Sequence, residues 1–223
     1  MTTREQVQRK VVEIGIVPVI RASSAKKAIA AAVAVAAGGI PIVELTMTVP
    51  GCIDAIAQLV RDMGSEVLIG AGTVLDEQTA RKCFEAGADF VVTPGLDMET
   101  IAAARAADKL IMAGALTPTE VITAWKAGAD FVKVFPASAV GGASYIRALR
   151  GPLPQVRLVP TGGVNLQTAA EFLQAGAAAL GVGSELISSA ALEKADMSSI
   201  TSLARQYVTV VQQVRETMKP ALV

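Results

Sequence analysis

Short apolar runs alternate with longer Ala-rich stretches along most of the chain. The runs are rich in Val and Ile and have the length of buried strands, whereas the stretches between them have the length and apolar spacing of helices. Eight strands are predicted, at residues 16–20, 40–45, 67–69, 90–93, 110–113, 131–135, 156–160 and 179–182. Each is followed by a predicted helix, so the pattern indicates an α/β protein with parallel strands.

The junctions between these elements also repeat. The run Ala-Gly-Ala-Asp-Phe-Val begins at Ala86 and again at Ala127, each time just before a predicted strand. Gly directly after a helix lets the chain turn in the left-handed conformation. Repetition of this unit about every 20–25 residues predicts a (β/α)8 TIM barrel. Residues 4–14 are predicted as an extra N-terminal helix and residues 198–218 as the last outer helix.

An open doubly wound sheet is the alternative architecture. Such sheets usually carry a Gly-rich turn after the first strand, whereas here that strand leads into Arg21-Ala22-Ser23-Ser24. The closed barrel is therefore favoured. No Pro-rich or Ser-rich linker divides the chain, so we predict one domain over residues 1–223.

Composition and charge narrow the class of protein. Hydrophobic residues make up 52% and charged residues 18% of the 223 residues, with a formal net charge of zero. Because the basic residues are scattered, we expect no nucleic-acid partner and no anionic membrane partner. The apolar run at residues 28–40 starts too late for a signal peptide and is too short to span a bilayer.

The content of cysteine and histidine excludes several kinds of chemistry. Cys52 and Cys83 show no metal-ligand spacing and fit a reducing compartment, so we expect a cytoplasmic protein. The sequence contains no histidine. Histidine triads, imidazole general bases and most catalytic zinc sites are therefore excluded, and we expect no metal and no cofactor.

Lys133 and Glu44 are the candidate catalytic residues. Lys133 lies among apolar residues in a predicted strand, where burial disfavours the ammonium form and leaves an amine able to attack a ketone. Glu44 lies near the end of another apolar strand, at the face where barrel enzymes keep their catalytic groups. A carboxylate beside an amine can move protons during imine formation. The alternatives are an ion-paired core lysine and a structural salt bridge.

Two glycine turns follow the last two predicted strands. The first contains Thr161, Gly162 and Gly163, and the second contains Gly183 and Ser184. Backbone N–H groups at these positions form the recurrent phosphate site of this fold. Both turns together indicate a phosphorylated substrate.

Four further residues stand where they would contact a substrate. Arg21 ends the first predicted strand and Thr73 follows the third, so each is placed to hold a carboxylate or a hydroxyl. Pro94 and Phe135 are placed to form walls of the pocket. Surface, capping and packing roles remain the alternatives for all four.

With these residues in place, the sequence resembles the 2-keto-3-deoxy-6-phosphogluconate (KDPG) aldolase family of class I aldolases. The resemblance covers nearly the whole chain in seven ordered blocks. They are Pro-Val-Ile-Arg at 18–21, Val-Glu-Leu-Thr at 43–46, Gly-Ala-Gly-Thr-Val at 70–74, Val-Thr-Pro-Gly at 92–95, Lys-Val-Phe-Pro at 133–136, Pro-Thr-Gly-Gly-Val at 160–164 and Gly-Val-Gly-Ser at 181–184.

The resemblance implies a role for each candidate. It makes Lys133 the Schiff-base residue and Glu44 the general acid/base. It implies two further groups of residues, which are the substrate contacts Arg21, Thr73, Pro94, Phe135 and Thr161, and the phosphate contacts Gly162, Gly163 and Ser184. The second glycine turn adds Gly183 to the predicted phosphate contacts. It also implies a homotrimer that acts on a small-molecule substrate without metal or cofactor.

One position departs from the family pattern. Some members carry an arginine shortly after the glutamate that binds the pyruvate carboxylate, and this chain has Thr48 there. Carboxylate binding would then fall to Arg21 and Thr73.

The predicted activity is the reversible cleavage of KDPG to pyruvate and glyceraldehyde 3-phosphate. The nearest alternatives are aldolases for 2-keto-3-deoxy-6-phosphogalactonate and for 4-hydroxy-2-oxoglutarate. More remote alternatives are a sugar-phosphate isomerase or synthase barrel and a catalytically silent scaffold that builds oligomers.

Overall fold

Parallel strands and helices alternate from residue 16 onward in the computed structural model, which describes residues 3–218. The strands are β1 Ile16–Ile20, β2 Ile42–Thr46, β3 Leu68–Gly72, β4 Phe90–Val92, β5 Leu110–Ala115, β6 Phe131–Val134, β7 Leu158–Pro160 and β8 Leu180–Val182. The helices are α1 Arg4–Ile14, α2 Ala25–Ala37, α3 Cys52–Met63, α4 Glu77–Glu85, α5 Met98–Ala106, α6 Pro118–Lys126, α7 Ala143–Arg150, α8 Ala169–Gln174, α9 Ser189–Glu193 and α10 Met197–Met218.

The strands form a barrel. Each strand from β1 to β6 pairs in parallel with the next one along the chain, and β8 pairs with β1. The last seam, between β7 and β8, is joined by one parallel bridge from Thr161 to Gly181. The predicted (β/α)8 TIM barrel is confirmed, and the open sheet is excluded.

Only β1 has the predicted bounds, and the other seven strands differ from the prediction by one to three residues at one or both ends. β3 continues to Gly72 because its glycines are packing positions: a Cβ at Gly70 would lie 2.2 Å from the Phe90 ring. β2 and β7 each start two residues late. The N–H of Ile40 donates to Val35, and that of Val156 donates to Leu153, so both residues complete local turns instead of a sheet ladder.

The repeated Gly-Ala-Asp run has a structural use. The Asp89 carboxylate accepts the N–H of Ile69, and the Asp130 carboxylate accepts the N–H of Ile111. Each aspartate therefore caps the start of the neighbouring strand at the N-terminal face of the barrel, where a buried N–H would otherwise lack a partner.

Helix α1, the predicted extra N-terminal helix, packs against that same face. Thr3 forms a capping box with Gln6, which fixes where the helix begins. Val7 and Val11 are buried, and Arg4 donates to Asp130. Among the described helices, none combines the length and the apolar character that a membrane crossing requires.

Candidate active site

Lys133 projects from β6 within the barrel. It is 4% exposed, and its neighbours in register are Gly114 on β5 and Val159 on β7. Its Nζ lies 5.5 Å from the centroid of the Phe135 ring. The small Gly114 and the apolar neighbours leave the amine in a site with little water.

Glu44 faces Lys133 from β2. Its side chain is 3% exposed, and Oε1 lies 3.9 Å from Lys133 Nζ. That separation permits charge attraction but exceeds a hydrogen bond, and no other described residue bonds this oxygen. Burial raises the pKa of Glu44 above its ordinary value, although the charges of Lys133 and Arg21 act in the opposite direction.

Gly72 makes room for the Glu44 carboxylate. A Cβ at Gly72 would stand 1.8 Å from Glu44 Oε1 and 2.4 Å from its Cδ. The predicted strand at residues 67–69 ended before this glycine, so its packing role was missed. A glycine that directly follows an apolar run is the available signal, because small residues in strands often mark a close approach.

A cavity of about 140 Å³ opens between the ends of β1, β6, β7 and β8. Seven of the predicted site residues line it, and the lining residues are Arg21, Phe135, Thr161, Gly162, Gly163, Val164, Gly181, Gly183, Ser184 and Glu185. The structure thus brings Arg21 to the glycine turns. A Cβ at Gly183 would meet the Arg21 guanidinium at 3.4 Å.

The glycine turns that line this cavity have an unusual backbone conformation. Gly162 and Gly163 have φ angles of 90° and 76°, which side-chain-bearing residues rarely adopt. Within residues 3–218, no hydrogen-bond acceptor is found for the N–H groups of Gly163 and Ser184. Together with the Arg21 guanidinium, these donors form a local positive site suited to an anion.

The other predicted contacts lie outside this cavity, at the same end of the barrel. Thr73 follows β3 with a φ of 57°, an unfavourable value for a β-branched residue. The backbone of Pro94 lies against Gly114, where a Cβ would approach it to 2.4 Å. Thr48 is exposed, and its hydroxyl lies 2.6 Å from that of Thr46.

The site combines a buried amine, a buried carboxylate whose Oε1 lacks a hydrogen-bond partner among the described residues, and a small cavity lined by the glycine turns and Arg21. A lysine and a glutamate in such surroundings can carry out covalent chemistry on a carbonyl with proton transfer.

Comparison with known proteins supports this interpretation. Residues 7–203 match the family model described as KDPG and KHG aldolase. The KHG/KDPG aldolase of Escherichia coli K12 is 35% identical over 193 residues, which cover 86% of this chain and 90% of that protein.

Two solved structures are similar over almost their full length. The KDPG aldolase of Legionella pneumophila, with pyruvate captured as a covalent carbinolamine, has a TM-score of 0.83 and 32% identity, and covers 89% of this chain and 96% of that one. A native KDPGal structure has a TM-score of 0.84 and 30% identity, and the match covers 90% of this chain and 96% of that one. The chain therefore belongs to the KDPG and KHG aldolase family of carbon–carbon lyases.

Proposed function

We propose that this protein cleaves KDPG reversibly to pyruvate and glyceraldehyde 3-phosphate through a Schiff base on Lys133. The observation that carries the proposal is the buried pair of Lys133 Nζ and the unpartnered Glu44 Oε1, 3.9 Å apart. The carbinolamine captured in the Legionella pneumophila relative is the expected first adduct of an amine with pyruvate.

The proposed reaction begins when the Glu44 carboxylate accepts a proton from the Lys133 ammonium, and the resulting amine attacks the C2 ketone. Glu44 donates the proton with which the C2 hydroxyl leaves as water, and a protonated imine remains. This imine draws electrons from the C3–C4 bond, which breaks as the C4 hydroxyl passes its proton to the Glu44 carboxylate and becomes the aldehyde. Glu44 returns a proton to C3, and hydrolysis of the imine releases pyruvate and the free amine.

The cavity between the glycine turns is the proposed seat of the C6 phosphate. Its backbone N–H groups and Arg21 supply donors and a positive charge at one end of the pocket. The substrate carboxylate then lies toward Thr73 and Pro94, at the other side of Lys133. This assigns Arg21 to the phosphate and leaves Thr73 as the proposed carboxylate contact.

Trapping with borohydride tests the Schiff base. Pyruvate and borohydride are expected to add a stable adduct to Lys133, identified by peptide mass spectrometry. Lys133→Met retains much of the side-chain volume but cannot form an imine, so both trapping and turnover should disappear. Trapping that persisted in the folded variant would place the nucleophile elsewhere and overturn the proposal.

Gly183→Ala tests the phosphate seat. Gly183 has no positive φ, and a Cβ there meets the Arg21 guanidinium and no backbone atom, so the variant should fold. The methyl group should raise the KM for KDPG about tenfold or more and leave pyruvate trapping unchanged. Gly151→Ala, which follows α7 away from the pocket, is the matched control. An equal loss of pyruvate trapping would contradict a phosphate role.

The same variant separates the substrate alternatives. 4-Hydroxy-2-oxoglutarate carries no phosphate, so its turnover should be insensitive to Gly183→Ala. KDPG and the galactonate compound differ at one stereocentre and should respond equally. A direct comparison of kcat/KM for the three compounds in the unmodified protein decides which is preferred.

We further propose that the protein works as a homotrimer in the cytoplasm. The support is the resemblance to its family, together with the absence of charge features for nucleic acid or membrane binding. Sedimentation equilibrium should give three times the mass of one chain. A monomer or dimer at micromolar concentration would contradict the trimer.

A further inference from the structure

Thr93 is a buried polar residue that the proposed mechanism does not use. It follows β4 directly and is 1% exposed. Its hydroxyl accepts the N–H of Gly114 at 2.9 Å and donates to the carbonyl of Gly95 at 2.7 Å. One side chain therefore bridges a strand and the turn that contains Pro94.

The Thr93 side chain replaces a regular main-chain hydrogen bond between β4 and β5. The N–H of Thr93 donates to Met112 in the ordinary parallel pattern. In that pattern the next N–H of β5, from Gly114, would pair with a main-chain carbonyl of the neighbouring strand. Here it pairs with the Thr93 hydroxyl instead, and the backbone after Thr93 turns inward across the end of β5.

Gly114 permits this inward turn. A Cβ at Gly114 would stand 2.4 Å from Gly95 N and from the Pro94 carbonyl carbon. The turn therefore rests directly on the Gly114 Cα. Gly114 is also the register partner of Lys133, so the turn is anchored at the residue beside the proposed nucleophile.

We propose that Thr93 is a positioning residue. It holds the Pro94–Gly95 turn in the position against Gly114 that imine formation on Lys133 requires. This inference rests on the proposed Schiff-base function. Without the hydroxyl, a buried N–H and a buried carbonyl lose their partner, and the turn is expected to move away from Gly114 to reach other donors or water. A displacement of about 1 Å at a reacting site can lower a rate by about a hundredfold.

Three substitutions at two buried threonines test the proposal. Thr93→Val keeps the shape and removes the hydroxyl, and Thr93→Ser keeps the hydroxyl. Thr100→Val is the matched control, because Thr100 is fully buried on α5 and its hydroxyl has no partner among the described residues. Activities are normalised to the folded fraction, measured by circular dichroism at a temperature well below unfolding.

The expected result is a loss of chemistry without a loss of phosphate binding. Thr93→Val should lower kcat and the rate of borohydride trapping by pyruvate about tenfold or more. The inhibition constant of inorganic phosphate should stay within about twofold, because its proposed seat lies on β7 and β8. Thr93→Ser should recover most of the rate, and Thr100→Val should match the unmodified protein.

Two outcomes overturn the proposal while the unmodified protein traps pyruvate. One is an unchanged trapping rate in Thr93→Val, and the other is an equal loss in Thr93→Ser. If Thr93→Val does not fold, Thr93→Cys replaces it, and a rate equal to that of Thr93→Ser then counts against the proposal. Failure of the unmodified protein to trap pyruvate would instead refute the proposed function.

Discussion

At the scale of single residues, the proposed chemistry depends on what surrounds Lys133 and Glu44. Neither side chain is more than 5% exposed. An ionised pair in such a place gains stability only when its remaining hydrogen-bonding positions are satisfied, and Glu44 Oε1 is left unpartnered. A buried carboxyl group with a shifted pKa and a charged partner is typical of catalytic sites.

The raised pKa of Glu44 predicts the acid side of the pH–rate profile. Because burial raises this pKa, the carboxylate takes up its proton at a higher pH than an exposed glutamate does. Activity that needs the carboxylate should therefore fall as the pH is lowered through the raised pKa. Glu44→Gln should lower kcat about a hundredfold or more. The residual rate of this variant should not fall at low pH. If the rate of the variant fell at the same low pH as that of the unmodified protein, the titration would belong to another group.

At the scale of elements, the N-terminal helix and the strand starts are tied together at the face opposite the site. Arg4 on α1 contacts two carboxylates of very different exposure. The Asp130 side chain is 4% exposed and lies 2.8 Å from Arg4, whereas the Asp108 side chain is 79% exposed and lies 3.2 Å away. Burial should decide which of the two contacts stabilises the barrel.

Asp130→Ala and Asp108→Ala form a matched pair on this contact. Removal of Asp130 leaves the Arg4 guanidinium and the N–H of Ile111 without their partner, so the free energy of unfolding should fall by about 2–4 kcal/mol. Removal of Asp108 should change it by less than about 0.5 kcal/mol. Urea denaturation of both variants measures the difference. Similar losses in the two would show that burial does not control the contact.

At the scale of the whole molecule, the barrel is held least at the seam between β7 and β8. The bridge from Thr161 to Gly181 and one hydrogen bond from the N–H of Ala178 to the carbonyl of Leu158 join this seam. A Cβ at Gly181 would stand 2.1 Å from Thr161 Oγ1. The same seam lines the cavity with the glycine turns, so closure of the barrel and formation of the proposed phosphate seat depend on the same residues.

Substitutions at Gly181 and Gly183 should separate closure of the barrel from binding of the phosphorylated substrate. Gly181→Ala forces a methyl group against Thr161 and should lower the free energy of unfolding by about 1–3 kcal/mol. Gly183→Ala should leave stability nearly unchanged and weaken binding of the phosphorylated substrate. Thermal unfolding and KM, measured on both variants, provide the comparison. Equal destabilisation by the two substitutions would mean that the seam is not specifically sensitive at Gly181.

The sequence alone determined the order of elements, the barrel and the identity of the candidate residues. Period, strand length and helix-ending glycines are local properties, and chemistry-bearing residues such as Lys133 stand out against an apolar strand. Tertiary structure decided which residues meet. Three contacts join residues of separate strands. They are the Glu44 carboxylate against Gly72, Arg21 beside Gly183, and the hydrogen bond between Thr93 and Gly114. Glycine occurs both in turns and where two strands approach each other closely, and the sequence alone does not distinguish the two roles. Its role is set by a neighbour that is distant in sequence, and folding is what brings that neighbour into contact.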